Sequence, residues 1–161
     1  MKTKFYQLFT IIILSTAFVL TISAQQKEVK IYLQKDVDLP DNSIRTDWVS
    51  VKRKVDAKSP LRSALEWLFE PKITPEEAKQ KIYEVTFGMK FEGVSLKNGT
   101  ATVRFSETPK SNYGTSGGGI FYDAVQKTVK QFPAVKRVKI CVVGETNIDG
   151  EYDRKLFNPC K

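Results

Sequence analysis

Histidine is absent from all 161 residues, and cysteine occurs only twice. The first absence removes the usual base of serine and cysteine hydrolases and the commonest zinc ligand, so a zinc site would have to be completed by carboxylates. No Gly-Lys-Ser/Thr ending follows the glycine-rich segment, which excludes a nucleotide-binding phosphate loop. Aromatic residues do not interleave with the basic ones, the densest of which are Lys136, Arg137 and Lys139. A nucleic-acid platform needs that interleaving, so nucleic acid is not an expected partner. No cofactor is expected.

What is present begins with an export signal. Lys2 and Lys4 precede an apolar stretch from Phe5 to Ile22, followed by Ser23 and Ala24. This charged, apolar and small-residue order predicts a secretory signal peptide over 1–24, cleaved after Ala24. The alternative is an uncleaved anchor, the one case in which the membrane is a partner. Either way the remainder, 25–161, is expected outside the cytoplasm, whether periplasmic, cell-surface or secreted. No cysteine lies near the cleavage point, so lipid attachment there is not expected.

The remainder has the length of one ordinary domain, with a core over about 29–146 and a C-terminal tail. The whole chain carries 26 Lys and Arg against 18 Asp and Glu, and losing Lys2 and Lys4 trims that excess. Such an excess serves solubility and also fits an anionic partner. Cys141 and Cys160 fall in the exported part, where an oxidising compartment permits a disulfide that would tie down the tail.

Strand periodicity appears at Val29–Gln34, with Val29, Ile31 and Leu33 on one face, and at Trp48–Val55, with Val49, Val51 and Val55 opposite Ser50, Lys52 and Lys54. Turn chemistry from Leu39 to Ser43 separates them. Ser59-Pro60 reads as a capped helix start, followed by Leu61, Ala64, Leu65, Leu68 and Phe69 on one face. Thr74-Pro75-Glu76-Glu77 matches a capping box, predicting a second helix with Ala78, Ile82 and Val85 as its stripe. Asn98-Gly99 between two alternating runs predicts a tight hairpin over Val94–Phe105. A glycine-rich connection from Ser111 to Gly119 precedes a helix with Phe121, Ala124, Val125, Thr128, Val129 and Phe132 on one face, ended by Pro133. A last strand, Val135–Val143, puts Val138, Ile140 and Val142 on one side. The order β-β-α-(α)-β-β-α-β predicts an α+β fold, a mixed β-sheet with two to three helices on one face.

Several of these segments resemble the GerMN domain, the sporulation and spore-germination module of exported bacterial proteins. They are Val29-Lys30-Ile31-Tyr32-Leu33, the helix ending Ala64 to Pro71, Thr74-Pro75-Glu76-Glu77, the hairpin Gly93–Val103, and Thr128–Val138. The resemblance spans about 29–146. This chain departs from it in having Glu70-Pro71 where the family usually has Gly-Pro, and in having room for one copy of the module. The resemblance implies a non-catalytic, extracytoplasmic module that binds another envelope protein or an envelope component.

Three features of the sequence are candidates for chemistry or binding. Gly114-Thr115-Ser116-Gly117-Gly118 satisfies Gly-x-Ser-x-Gly, but a nucleophile elbow needs a strand immediately before the serine and a base beside it. A hydrolase would then rest on Ser116 and a lysine, detectable as a buried, sharply turned serine within about 3 Å of a lysine nitrogen. The same loop, at Ser116, Gly117 and Gly118, is a candidate anion contact at a helix start. Glu66, Glu70, Glu76, Glu77 and Glu92 are the acids available to a glycosidase pair, although Glu76 and Glu77 already suit the first turn of a helix. Trp67, off the core stripe, is the aromatic most expected to mark a binding face unless the tail after Val143 or the segment around Tyr83 covers it. The expected function is binding of an envelope protein or an anionic envelope polymer. A peptidoglycan or wall-polymer binder, and a small secreted serine hydrolase, are the alternatives.

Overall fold

A computed structural model of the chain describes 25–108, 114–144 and 157–160. The expected export segment 1–24 lies outside the described residues, as do 109–113, 145–156 and 161.

Strands β1 (Gln26–Asp38) and β2 (Ile44–Asp56) form an antiparallel hairpin longer at both ends than the alternation alone predicts. Its turn is closed by Asp41, whose carboxylate accepts from the Ser43 amide at 3.0 Å and hydroxyl at 2.6 Å. Val29, Ile31, Leu33, Val51 and Val55 are buried on the inner face, as their spacing requires. Helix α1 (Pro60–Phe69) buries Ala64, Leu65, Leu68 and Phe69 and has Pro60 in its first turn. Ser59 does not cap it: its side chain makes no bond to the helix amides. The turn after α1 needs no glycine, since Glu70 sits at φ −126° and its amide donates to the Glu66 carbonyl at 3.0 Å.

The capping box is formed as read, but helix α2 (Pro75–Lys79) has only five residues and buries none of them. Ala78, Ile82 and Val85 therefore do not form a helical stripe. Lys81 turns the chain at φ 57°, and Ile82–Tyr83 become strand β3, paired with Gln34 and Lys35 of β1. One turn of isolated helix is unstable in water, so the hydrogen-bonding edge of β1 captures the next residues.

A second sheet contains β4 (Lys90–Lys97), β5 (Thr100–Ser106), β6 (Arg137–Val142) and β7 (Asn158–Pro159), in that order. Asn98 at φ 50° and Gly99 at φ 73° make the predicted tight turn between β4 and β5. The fold is α+β, with the strands shared between this mixed sheet and the three-stranded antiparallel sheet β2-β1-β3. Parallel pairing of β5 with β6 requires a crossover, which contains helix α3 (Gly114–Lys130). All six residues of its predicted face are buried. Fully buried Thr128 has a partner: its Oγ1 accepts from the Tyr32 amide at 3.3 Å. Gln131 accepts from the Lys30 amide at 2.9 Å and donates to the Lys30 carbonyl at 2.7 Å. Side chains from the end of α3 thus satisfy the part of the β1 edge that β3 leaves open.

Cys141 and Cys160 are joined by a disulfide, and the Cys160 amide donates to the Val142 carbonyl at 2.9 Å. The end of the tail becomes β7, and Phe157 enters the core against Phe105, Phe121 and Tyr122. Among the described residues no helix is long and apolar enough to cross a membrane.

Candidate functional site

The outer face of the second sheet is built by alternation. Ala101, Val103 and Phe105 of β5 are buried, so Thr100, Thr102, Arg104 and Ser106 point the other way. Strand register then sets two rows across the face, Lys97–Thr100–Arg137 and Ser95–Thr102–Lys139. A third begins with Gly93, Arg104 and Cys141. Lys97, Arg104, Arg137 and Lys139 are all exposed, with hydroxyls between them.

The two hairpin glycines lie where basic side chains cross the backbone. Gly93, at φ 150° beside a bulge in β4, would bring an added Cβ within 3.0 Å of Arg104 Nη2. At Gly99 the same atom would meet the Lys136 stem at 3.2 Å, while the Lys136 and Arg137 amides donate to the Gly99 carbonyl. Arg137 Nε donates to Thr100 Oγ1 at 3.2 Å, which lays the guanidinium along the sheet. Glu92 stands at the corner, accepting from Ser106 Oγ at 2.7 Å and paired with Lys90 at 3.2 Å. Those two partners, Ser106 first, hold its carboxyl below the ordinary value. Among the described residues no acid forms an ion pair with Lys97, Arg104, Lys136, Arg137 or Lys139.

Trp67 is half-buried on α1, beside a depression of about 300 Å³ bordered by Lys54, Ser63, Glu66, Glu70 and Lys72. Cations cover its ring: the Arg53 guanidinium lies 5.1 Å and Lys72 Nζ 5.9 Å from the centroid. Arg53 is itself fixed by a two-pronged pair with Glu77, at 2.8 and 2.7 Å, and Glu77 also closes the capping box with Thr74. Two more of the acids considered for a glycosidase pair are engaged, Glu66 by Arg62 at 2.8 Å and Glu92 by Lys90 and Ser106.

The Arg53 hydrogen bonds lower the Glu77 pKa most, burial opposes them, and the Thr74 amide adds to the lowering. A carboxyl depressed on folding contributes stability above its unfolded value, and loses it as pH falls through the lower folded value. The stability advantage of the native chain over Glu77→Gln, read from urea midpoints, is therefore expected to be full above the ordinary 4.5 and to shrink as acid is added below it. A gap that stays constant through that range would remove the pair from the pH response.

Ser116 is exposed in the first turn of α3, and among the described residues the strand that precedes it, β5, ends at Ser106. The expected glycine-rich connection is instead helical from Gly114 onward, with its earlier part, 111–113, outside the described residues. Gly117 and Gly118 are buried within α3. Sequence reading found Lys136, Arg137 and Lys139 but missed Lys97 and Arg104. The signal for those two was the alternation of Thr, Thr, Arg and Ser with Ala, Val and Phe over 100–106.

The sequence matches the family described as Germane, sporulation and spore germination, over 22–148. Among solved structures the chain is similar to the tandem GerMN domains of the sporulation protein GerM from Bacillus subtilis. Identity is 19%, the TM-score is 0.55, and the match covers 89% of this chain and 46% of that one. The chain thus spans about half the length of that structure. The first GerMN domain of the same protein matches at 20% identity, TM-score 0.49, over 72% of this chain and 82% of its own. A putative lipoprotein from Clostridium perfringens matches at 15% identity, TM-score 0.39, over 71% and 75%. No curated protein matches the chain.

Proposed function

The chain belongs to the Germane family of sporulation and spore germination domains, and from that premise we propose that it is an exported, non-catalytic envelope module that binds an anionic envelope polymer. The observation that carries this reading is the outer face of the second sheet, where Lys97, Arg104, Arg137 and Lys139 stand exposed among hydroxyls and form no ion pair with any described residue. Cations held on a sheet at strand spacing attract a polymer with repeated phosphate or carboxylate groups, and the attraction weakens as salt screens it. Ordered hydroxyls supply further hydrogen bonds to the same groups.

Retention of the exported protein on purified sacculi tests this. Binding is expected at low salt, release at high salt, and roughly a tenfold loss of retention in the double variant Arg104→Glu/Lys139→Glu. A protein that washes through at low salt, or a double variant retained like the native chain, would end this reading. The same charge reversal at Lys58, exposed just before α1, is expected to leave retention unchanged.

A further inference from the structure

The outer face of the first sheet carries a different chemistry. Leu33 is buried inward, so Gln34 of β1 points outward, and register places Trp48 of β2 and Tyr83 of β3 directly on either side of it. Strand spacing sets the two aromatic residues roughly 10 Å apart across the glutamine. Tyr32, two residues along β1, borders the same face, and both it and the two flanking aromatics remain partly open to solvent.

Gln34 is only 9% exposed, yet its carboxamide is incompletely partnered. Tyr83 Oη stands 3.3 Å from Gln34 Oε1 and 3.2 Å from Asp36 Oδ1. Burial raises the phenol above its ordinary 10.0, and the Asp36 charge adds to that, so it remains a neutral hydroxyl with one proton to give. Thr46 Oγ1 donates to the same Asp36 oxygen at 2.9 Å. Whichever way the carboxamide is turned, one of its terminal atoms meets Tyr83. Among the described residues the other makes no hydrogen bond, and it is not enclosed. The free end is therefore a polar group that water completes in the unbound protein and that a ligand with a matching amide or hydroxyl can take over.

Charge on this patch is balanced. Lys127 Nζ lies 5.4 Å from the Trp48 ring centroid at one end and, unlike Arg53 over Trp67, is not fixed by any described acid, and Asp36 stands at the other. A neutral ligand with a flat apolar side and edge-on polar groups suits such a surface, because aromatic faces take CH-rich rings while a few fixed polar groups set orientation. A pyranose ring has both features. An acetamido substituent adds an amide that matches either possible free end of Gln34, and a methyl that packs on the indole.

We propose that the Trp48–Gln34–Tyr83 row is a binding site for a neutral glycan of N-acetylated pyranose rings. It is separate from the anionic-polymer face and goes beyond that reading. The probe is a chito-oligosaccharide titrated into the exported protein by calorimetry, with a cello-oligosaccharide of equal length as the arm lacking acetamido groups. Expected are saturable binding of the first, little or none of the second, and affinity unchanged at high salt. Trp48→Ala and the near-isosteric Gln34→Met, each verified as folded by circular dichroism, are expected to weaken it roughly tenfold. Absence of chito-oligosaccharide binding, equal binding of both sugars, or affinity surviving both substitutions overturns the proposal. Loss of binding at high salt also overturns it, by assigning the interaction to charge, whereas an Arg104→Glu/Lys139→Glu variant that keeps its sacculus retention would end the anionic-polymer reading and leave this glycan site standing.

Discussion

Phe121→Ala is expected to destabilise the domain by about 4 kcal/mol, near the upper end for a core truncation. Phe121 is fully buried, with ring centroids 5.5 Å from Phe69, 5.0 Å from Phe105 and 5.6 Å from Phe157. Those neighbours come from α1, β5 and the tail, so a single side chain on α3 joins four parts of the chain. Tilted and edge-on aromatic pairs contribute beyond the area they bury, and the hole left by alanine is walled by rings that cannot collapse into it without breaking their other contacts. Total stabilities of about 5–15 kcal/mol make this loss a large fraction of the whole. Urea unfolding followed by circular dichroism would measure it. A loss under about 1 kcal/mol would mean that α3 does not anchor the core at this point. Ile44→Ala, at an exposed strand end, provides the contrast and is expected to change stability little.

Legibility in the sequence followed the length and regularity of each element. β1, β2, β5 and α3 each cover one face over several residues, so periods of two and 3.6 appear directly in the order of apolar residues. The Asn98-Gly99 turn was legible because both residues tolerate positive φ, and both adopt it. β3 and β7 have two residues apiece and carry no periodicity. The first is placed by the open edge of β1 and the second by the Cys141–Cys160 bond, which are tertiary causes. The early start of α3 was hidden by consecutive glycines, poor helix formers that burial nevertheless holds in the helix.

The candidate site divided along the same line. Arg137 and Lys139 are neighbours in sequence and stood out as a charge cluster, whereas Lys97 and Arg104 join them only through the register of three strands. Trp48, Gln34 and Tyr83 come from three separate segments, and the short strand that brings Tyr83 alongside was itself illegible. Trp67 attracted notice because it left the α1 stripe, but Arg53, fixed by Glu77, was already there to cover it.

Replacing both cysteines by serine is expected to lower stability by about 3 kcal/mol, or roughly 10 °C in Tm for a domain of this size. The bond closes a loop between residues 19 apart in sequence, and releasing that loop enlarges the unfolded ensemble. The native state also loses a fastening: β7 pairs with β6 over only two residues, so without the bond little backbone pairing holds Phe157 against Phe105 and Phe121. Thermal unfolding of the native protein with and without reductant should reproduce the shift seen in Cys141→Ser/Cys160→Ser. Both losses involve Phe157, so they should not add: once Phe121 is alanine, loosening the tail forfeits fewer ring contacts. Combining Phe121→Ala with the double serine variant is therefore expected to cost about 1 kcal/mol less than the sum of the separate losses. Strict additivity would show that the disulfide acts on the unfolded chain alone and that Phe157 keeps its place without it.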